Sequence, residues 1–360
     1  MNGRIVIMAG GTGGHVFPAL AVAEEMRARG WQVSWLGTQK GLESRVVPAH
    51  GIDIDWLCVA GMRGKGLLSK LLSVFRLLQA CLQARRILRQ RQPDVVLGMG
   101  GFVAGPGGLM AKWLGIPLVV HEQNRVPGTT NRWLVKLAAN KVLEAFPESF
   151  PAEVGAVCTG NPLRKAFQNI AEKSAWTPQA SRHLKILVLG GSQGAKVLNE
   201  NLPVALAGLP NLDIKHQTGT AMRSEVNDRY QNLSINAEVS AFIDDMAAVY
   251  QWADLIICRA GAMTVSEVAA CGLPAIFVPL MHAIDDHQTA NARFLTETGA
   301  ALLLPQPELN AANLRKLINQ AMTSLPSMSL AAKSQARLHA TQTVADICVT
   351  LAPQRVEAVL

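Results

Sequence analysis

Three glycine-rich stretches constrain this 360-residue chain more than any other feature. They are Ala9-Gly-Gly-Thr-Gly-Gly-His15, Gly98-Met-Gly-Gly-Phe-Val-Ala-Gly-Pro-Gly-Gly108 and Gly190-Gly-Ser-Gln-Gly194, each entered from an apolar run of strand length and left toward a helical pattern. Without Cβ atoms the backbone turns tightly and lets a ligand come close, while free N–H groups and the helix dipole favour an anion. Phosphate is the expected guest. A bare strand-to-helix turn is the alternative for any one stretch, and three together weigh against it.

Two common phosphate ligands are disfavoured. In Gly11-Thr-Gly13-Gly-His-Val16 the third glycine of the dinucleotide fingerprint is Val, and the second strand ends Trp35-Leu-Gly-Thr38 without an acid for a ribose hydroxyl. No G-x-x-x-x-G-K-[ST] occurs, which removes support for a P-loop kinase or ATPase.

The first half alternates strand runs with helical patterns, as a parallel sheet covered by helices reads. Strands are expected at Arg4 to Met8, Gln32 to Leu36, Val95 to Gly98 and Leu118 to His121, with a helix from Pro18 to Arg29. Prolines and glycines gather between Pro147 and Pro162. A second series follows at Lys185 to Leu189, Asp213 to His216, Leu255 to Cys258 and Ala275 to Val278. The reading is α/β with two domains, 1–162 and 163–340, and a C-terminal helix at about 341–360 packing back on the first. The segment from Leu330 onward reads as helical.

The net charge of +8 implies an acidic partner: nucleic acid, an anionic membrane or phosphorylated substrates. Two Tyr and no interleaving of aromatic with basic residues argue against nucleic acid. The six scattered cysteines read as reduced, buried small hydrophobes. Ile5 to Ala9 reads as a buried strand and not a signal peptide, and no apolar run is long enough for a membrane span, which points to the cytoplasm.

His15 directly follows the first turn and would lie in the first turn of a helix. It could take a proton near neutral pH, or simply cap or pack beneath the turn. Arg259-Ala-Gly-Ala-Met-Thr-Val-Ser-Glu-Val-Ala-Ala-Cys-Gly-Leu-Pro274 runs from a strand end through a short helix. Its Glu267 suits the two hydroxyls of a ribose, or is a solvated surface acid. Asp285-Asp-His-Gln-Thr-Ala-Asn291 offers groups that suit sugar hydroxyls, or a helix cap at Asp286.

Together with His121-Glu-Gln-Asn124 and Gly160-Asn-Pro-Leu-Arg164, these motifs closely resemble the MurG family of bacterial peptidoglycan glycosyltransferases, in order from residue 4 to about 300. The resemblance implies the GT-B architecture, two Rossmann-like domains with parallel sheets facing across a cleft. It implies transfer of N-acetylglucosamine from UDP-N-acetylglucosamine to the muramoyl 4-hydroxyl of lipid I (undecaprenyl-pyrophosphoryl-MurNAc-pentapeptide), giving lipid II with inversion. The same fold with another lipid acceptor, or a UDP-sugar hydrolase or epimerase, is the nearest rival.

Residue by residue, the resemblance implies that Glu267 holds the ribose, the Ile243 backbone reads the uracil and Ser192 touches a donor phosphate. Gln288 would bind donor-sugar hydroxyls with Asn291 nearby. Thr12, Gly13, Gly14, Asn124, Arg164 and Ala262, Met263, Thr264, Val265 and Ser266 complete the implied donor site. The second glycine turn, with Gly100, Gly101, Gly105 and Gly107, is similar to the family's acceptor pyrophosphate surface.

An inverting transfer needs a base for the acceptor hydroxyl and stabilisation of departing UDP. His15 is the first choice as base and Glu122 the second. No Asp-x-Asp pair occupies a metal-binding position, and helix N-termini can stabilise a diphosphate, so no metal or other cofactor is expected. The run Leu67 to Leu82 is apolar around much more of its helical wheel than one core contact needs, with Lys65, Lys70, Arg76, Arg85, Arg86 and Arg89 close by. It reads either as a core helix with a basic face or as a surface lying on anionic lipid. A lipid-linked acceptor favours the second, which places the protein peripherally on the cytoplasmic face of the bacterial plasma membrane.

Overall fold

A computed structural model of the protein describes residues 2–59, 67–168, 183–190, 194–280 and 286–353. Lys65, Ser192 and Asp285 lie outside the described residues, as do the side chains of residues 67–74, Lys70 among them. The chain divides into two units, Met1–Arg164 with His339–Leu360, and Lys165–Leu338.

The first unit begins β1 (Arg4–Met8), α1 (Gly13–Ala28), β2 (Gln32–Gly37), α2 (Glu43–Ala49), β3 (Asp53–Trp56) and α3 (Leu67–Arg91). It continues with β4 (Val95–Gly98), α4 (Ala104–Trp113), β5 (Leu118–Glu122), α5 (Thr129–Leu137), β6 (Lys141–Glu144) and β7 (Val157–Cys158). The strands form one parallel sheet ordered β3-β2-β1-β4-β5-β6-β7. Side chains alternate across a strand, so each strand feeds two apolar layers. Ile5, Ile7, Trp35, Leu97 and Val119 pack with α1, while Val6, Met8, Leu36, Val96 and Val120 pack with α3 and α4. Buried on both faces, such strands read as continuous apolar runs.

In the second unit the short helix α6 (Lys165–Gln168) precedes β8 (Leu184–Leu189), α7 (Lys196–Leu206), β9 (Leu212–Gln217), α8 (Arg223–Asn232) and β10 (Ala237–Ser240). Then come α9 (Met246–Trp252), β11 (Leu255–Cys258), α10 (Ala262–Cys271), β12 (Ala275–Phe277), α11 (His287–Thr296), β13 (Ala301–Leu303) and α12 (Ala311–Ser334). Its sheet is also parallel, ordered β10-β9-β8-β11-β12-β13. The last helix, α13 (Ala340–Leu351), belongs to the first unit, where Val344, Ala345 and Cys348 join the α1 layer.

The two sheets share a device at the point where strand order reverses. Asp94 donates its N–H to the Arg4 carbonyl (2.8 Å) and accepts from the Arg4 N–H (2.7 Å). Asp254 and Lys185 repeat the exchange at 2.8 and 3.1 Å. Each Asp locks its strand in register beside the first strand of its sheet, and so fixes where the loops at the opposite ends emerge.

Several elements differ from their sequence readings. α1 starts at Gly13 rather than Pro18, because Pro18 sits inside the helix and two glycines that read as turn form its first positions. The expected helix from Leu330 is instead the end of α12, which Asn310 caps from Oδ1 to the Asn313 N–H (2.9 Å), followed by the separate α13. All six cysteines are free thiols, but only Cys258, Cys271 and Cys348 are buried; Cys81 and Cys158 are half-buried and Cys58 is exposed.

Among the described residues each unit buries one uncharged histidine. Burial lowers the His121 pKa to about 4 and the His216 pKa to about 3, from an ordinary 6.5. His216 Nδ1 lies 3.0 Å from the Tyr230 hydroxyl and Nε2 3.1 Å from Asn199 Oδ1. Below pH 6.5 the unfolded chain binds protons that these folded imidazoles refuse. Stability is therefore full above pH 6.5 and is lost as pH falls toward 4, at roughly 1.4 kcal/mol per pH unit for each histidine. Denaturant titrations of wild type and His216→Gln between pH 7 and 4.5 should show a shallower dependence in the variant. Identical slopes would contradict the assignment.

Candidate active site

In an open parallel sheet, ligands bind beyond the carboxyl ends of the strands where the strand order reverses. In the first unit that point lies between β1 and β4, and the first two glycine turns leave from these two strands. The turns touch. A side chain on Gly101 (φ +82°) would meet the Gly10 carbonyl oxygen at 2.5 Å, and one on Gly100 (φ +100°) would meet His15 Cδ2 at 2.9 Å and Nε2 at 3.0 Å. Both backbones are left-handed, so glycine is required for conformation as well as space.

His15 lies in the first turn of α1. Its Nδ1 is 3.3 Å from the Gly10 carbonyl, which can only accept, so this contact favours a proton on Nδ1 and a lone pair on Nε2, the nitrogen facing Gly100. Thr12 is the N-cap of α1, with Gly13 and Gly14 as its first two residues. The second turn separates into two parts. Gly100 and Gly101 form the turn itself, whereas Gly105 and Gly107 lie within α4, where the Gly107 N–H donates to Val103 and its Cα faces the Met8 side chain. Gly107 thus serves close approach of helix to sheet.

A carboxylate that the motifs did not mark, Glu43, is fully buried at the start of α2. Oε2 accepts from the Gly11 N–H (2.9 Å), and Oε1 accepts from the Thr38 N–H (2.9 Å) and hydroxyl (2.7 Å). The signal for it was present in the crowding of glycines at 10, 37 and 41, each of which a Cβ would drive into Glu43.

Glu122, the last residue of β5, is 1% exposed. Its Oε1 accepts from the Asn124 backbone (2.9 Å) and side chain (3.2 Å), and its Oε2 from the Gly128 N–H (3.0 Å) and Asn131 Nδ2 (2.8 Å). Four donors engage it, an arrangement suited to holding the 122–131 loop and orienting Asn124. Beneath it, His121 Nε2 lies 3.0 Å from the Gly160 carbonyl, and Gln123 Nε2 is 3.1 Å from Nδ1. The Arg164 guanidinium stands over the Phe17 ring at 5.5 Å.

In the second unit the order reverses between β8 and β11. The third glycine turn leaves β8, and Gly194 (φ +75°) lies directly against the Thr218 carbonyl. From β11 the chain passes through Arg259 and Gly261 into α10, whose residues Ala262 to Glu267 make up its first turns. Ala262 and Val265 are buried, with Met263, Thr264 and Ser266 half-buried. Glu267 is buried, not solvated, and accepts from the Tyr250 hydroxyl (3.3 Å). Burial first, and then the Glu267 charge, raises the Tyr250 pKa, so the phenol stays a donor. Arg259 Nη1 donates to the Val278 and Pro279 carbonyls (2.9 and 3.1 Å).

Asn291 in α11 is buried and donates to the Ala260 carbonyl (3.3 Å), tying α11 to the start of the Arg259 segment. Gln288 Oε1 accepts from the Leu280 N–H (2.9 Å). Asp286 is the N-cap of α11 in a left-handed conformation, its carboxylate taken by the Thr289 hydroxyl (2.8 Å). Ile243 lies half-buried in the loop between β10 and α9, and Asp245 in that loop caps α9 through the Ala248 N–H (3.0 Å). Among the described residues no group of three or more His, Cys, Asp or Glu could hold a metal ion. The Asp53-Ile-Asp55 pair is engaged by Arg91, at 3.1 and 2.7 Å.

Both units match known families. Residues 5–143 match the glycosyltransferase family 28 N-terminal domain and residues 185–351 the glycosyltransferase family 28 C-terminal domain. The chain is 59% identical over 355 residues to the UDP-N-acetylglucosamine–N-acetylmuramyl-(pentapeptide) pyrophosphoryl-undecaprenol N-acetylglucosamine transferase of Methylococcus capsulatus, covering 97% of this chain and 99% of that one. The crystal structure of Acinetobacter baumannii MurG superposes with a TM-score of 0.85 at 43% identity, over 97% of this chain and 99% of that one. A Neisseria meningitidis UDP-GlcNAc 2-epimerase shares the fold at 13% identity, with a TM-score of 0.65 over 96% of this chain and 99% of that one. Two Rossmann-like units with parallel sheets make this a GT-B chain, and it belongs to glycosyltransferase family 28.

Proposed function

We propose that the protein transfers N-acetylglucosamine from UDP-N-acetylglucosamine to the 4-hydroxyl of the muramoyl sugar of lipid I, forming lipid II with inversion. The observation that carries the reading on this chain's own residues is the placement of His15 Nε2 against the Gly100 turn at the reversal point of the first sheet. In this reading the imidazole is the base and the Gly100 turn takes the anion, as a pyrophosphate-linked hydroxyl acceptor requires. The activity carried in the name of the Methylococcus relative supports the choice of donor and acceptor.

In this mechanism the acceptor hydroxyl gives its proton to His15 Nε2 as its oxygen attacks the anomeric carbon from the face opposite UDP. The bond to the diphosphate oxygen breaks, and its electron pair leaves with UDP. The N-termini of α7 and α10 offset the developing charge, a role that assigns no task to a metal. Glu267 accepts from the ribose hydroxyls, with Tyr250 holding its carboxylate in place. We assign the acceptor pyrophosphate to Gly100 and Gly101, and to Glu122 the orientation of Asn124 in place of proton transfer.

The membrane reading gains support from α3 and α4. Phe75, Leu78 and Leu82 are 66, 59 and 64% exposed, and exposed Trp113 lies under Arg85 and Arg89, whose guanidinium carbons are 4.1 and 5.8 Å from the ring centroid. Apolar side chains standing among bases suit the interface of an anionic bilayer. No helix of the described residues is long and apolar enough to cross one.

Incubation with labelled UDP-N-acetylglucosamine and a lipid I analogue tests the reaction. Labelled disaccharide-lipid is expected, and its absence under every buffer sinks the proposal; UDP released without acceptor indicates hydrolysis. His15→Ala should lower turnover about a hundredfold or more with donor affinity little changed, and near-normal turnover removes His15 as base. Glu267→Ala should chiefly weaken UDP binding by calorimetry; unchanged affinity contradicts the ribose assignment. Phe75→Asp with Leu82→Asp should abolish co-sedimentation with phosphatidylglycerol vesicles while sparing turnover of a short-chain acceptor. Retained sedimentation would reject the α3 surface.

A further inference from the structure

We propose that Glu43 is a positioning residue for proton transfer: it fixes the Gly10–Gly11 peptide whose carbonyl holds the His15 ring. The proposal rests on the reading of His15 as base and adds the group through which that base is set. Glu43 lies 28 residues beyond His15, at the start of another helix, and none of the glycine motifs includes it.

The backbone of the first turn is held at successive peptides. The Ala9 carbonyl accepts from the Trp35 indole N–H (2.8 Å), and the Gly11 carbonyl accepts from the Leu42 N–H (3.3 Å). Between them, the Gly11 N–H donates to Glu43 Oε2 at 2.9 Å. That N–H and the Gly10 carbonyl belong to one planar peptide, so fixing the N–H fixes the direction of the oxygen. The oxygen is the partner of His15 Nδ1 (3.3 Å), and Gly101 packs against it as well. Glu43, through one rigid peptide, therefore sets both the tautomer and the ring orientation of His15.

The chemistry at Glu43 requires a carboxylate. Both oxygens accept, Oε2 from Gly11 and Oε1 from the Thr38 N–H and hydroxyl. A glutamine keeps the shape, but its amide nitrogen would face an N–H donor at one end or the other. Burying a carboxylate is costly unless such bonds offset it, so its complete burial beneath the turn fits a demand for rigidity. Gly10, Gly37 and Gly41 make the room: a Cβ at Gly10 would stand 2.6 Å from Oε1, and one at Gly37 2.9 Å from Cγ.

The test compares wild type, Glu43→Gln, His15→Gln and the double variant with a soluble lipid I analogue, alongside 15N spectra of labelled imidazoles that report the tautomer. Glu43→Gln is expected to lower kcat about tenfold to a hundredfold, as misplacement of a reacting group does, and to move His15 away from its Nδ1–H form. In the His15→Gln background the same change should lower kcat less than threefold, because both act through one group. An equal loss in both backgrounds, or an unchanged tautomer in Glu43→Gln, overturns the positioning role. Normal turnover of His15→Gln would instead overturn the base assignment, which separates the two failures. Should Glu43→Gln fail to fold, Gly41→Ala displaces the same carboxylate without altering the Gly10–Gly11 peptide, and must lower kcat and shift the tautomer likewise.

Discussion

Buried carboxylates bonded to backbone N–H groups hold the loops on which the first unit's chemistry depends. Glu43 engages Gly11 and Thr38, Glu122 engages Asn124 and Gly128, and Glu144 engages Glu148 and Phe150 (both 3.1 Å). Each joins loop segments beyond the carboxyl end of a strand, where peptide groups have no ladder partner and would otherwise need water. An ionised acceptor makes bonds stronger than a neutral one, and two oxygens bridge two segments at once. Glycine turns gain freedom from the missing side chain; these acids take that freedom away again where a ligand must be met by fixed N–H groups.

Most of the architecture was legible because its strands are buried on both faces. Runs such as Ile5 to Ala9, Val95 to Gly98 and Leu255 to Cys258 carry so little polar character that only a covered parallel sheet accommodates them. Edge strands left a weaker mark. Asp53–Trp56 and Ala237–Ser240 alternate polar with apolar residues over four positions, too few for the period to register, and each pairs with a single neighbouring strand. The start of α1 was hidden for a different reason: Gly13 and Gly14 have poor helix propensity, and the helix extends through them because the turn before it is held from outside.

At the site, the residues visible in the sequence were those inside a motif. His15 and Glu267 could be singled out, since each lies in the first two turns of a helix that follows a strand, and what remained open was whether the space around them was solvent or protein. Burial of Glu267 under Tyr250 decides that for the second unit. Glu122 shows the converse. A carboxylate in a motif reads as a base, yet four donors converge on it, and a group so engaged is better suited to holding a loop than to exchanging a proton. Glu43 escaped because its partners are backbone N–H groups distant in sequence, which no spacing rule registers.

The two units solve the same geometric problem with different emphasis. Each has the Asp-to-first-strand lock at the amino end of the reversal point, Asp94 on Arg4 and Asp254 on Lys185, with the loops of the site leaving the opposite ends of the strands. Above the lock the chemistry diverges. The first unit places backbone against backbone, Gly101 on Gly10, and leaves a histidine at the junction. The second follows β11 with Arg259 and the N-terminus of α10, and buries an acid one turn deeper in that helix. A duplicated scaffold can hold a histidine in one half and a buried carboxylate in the other because the lock lies at the opposite ends of the strands from both, so changes above it need not disturb the register below.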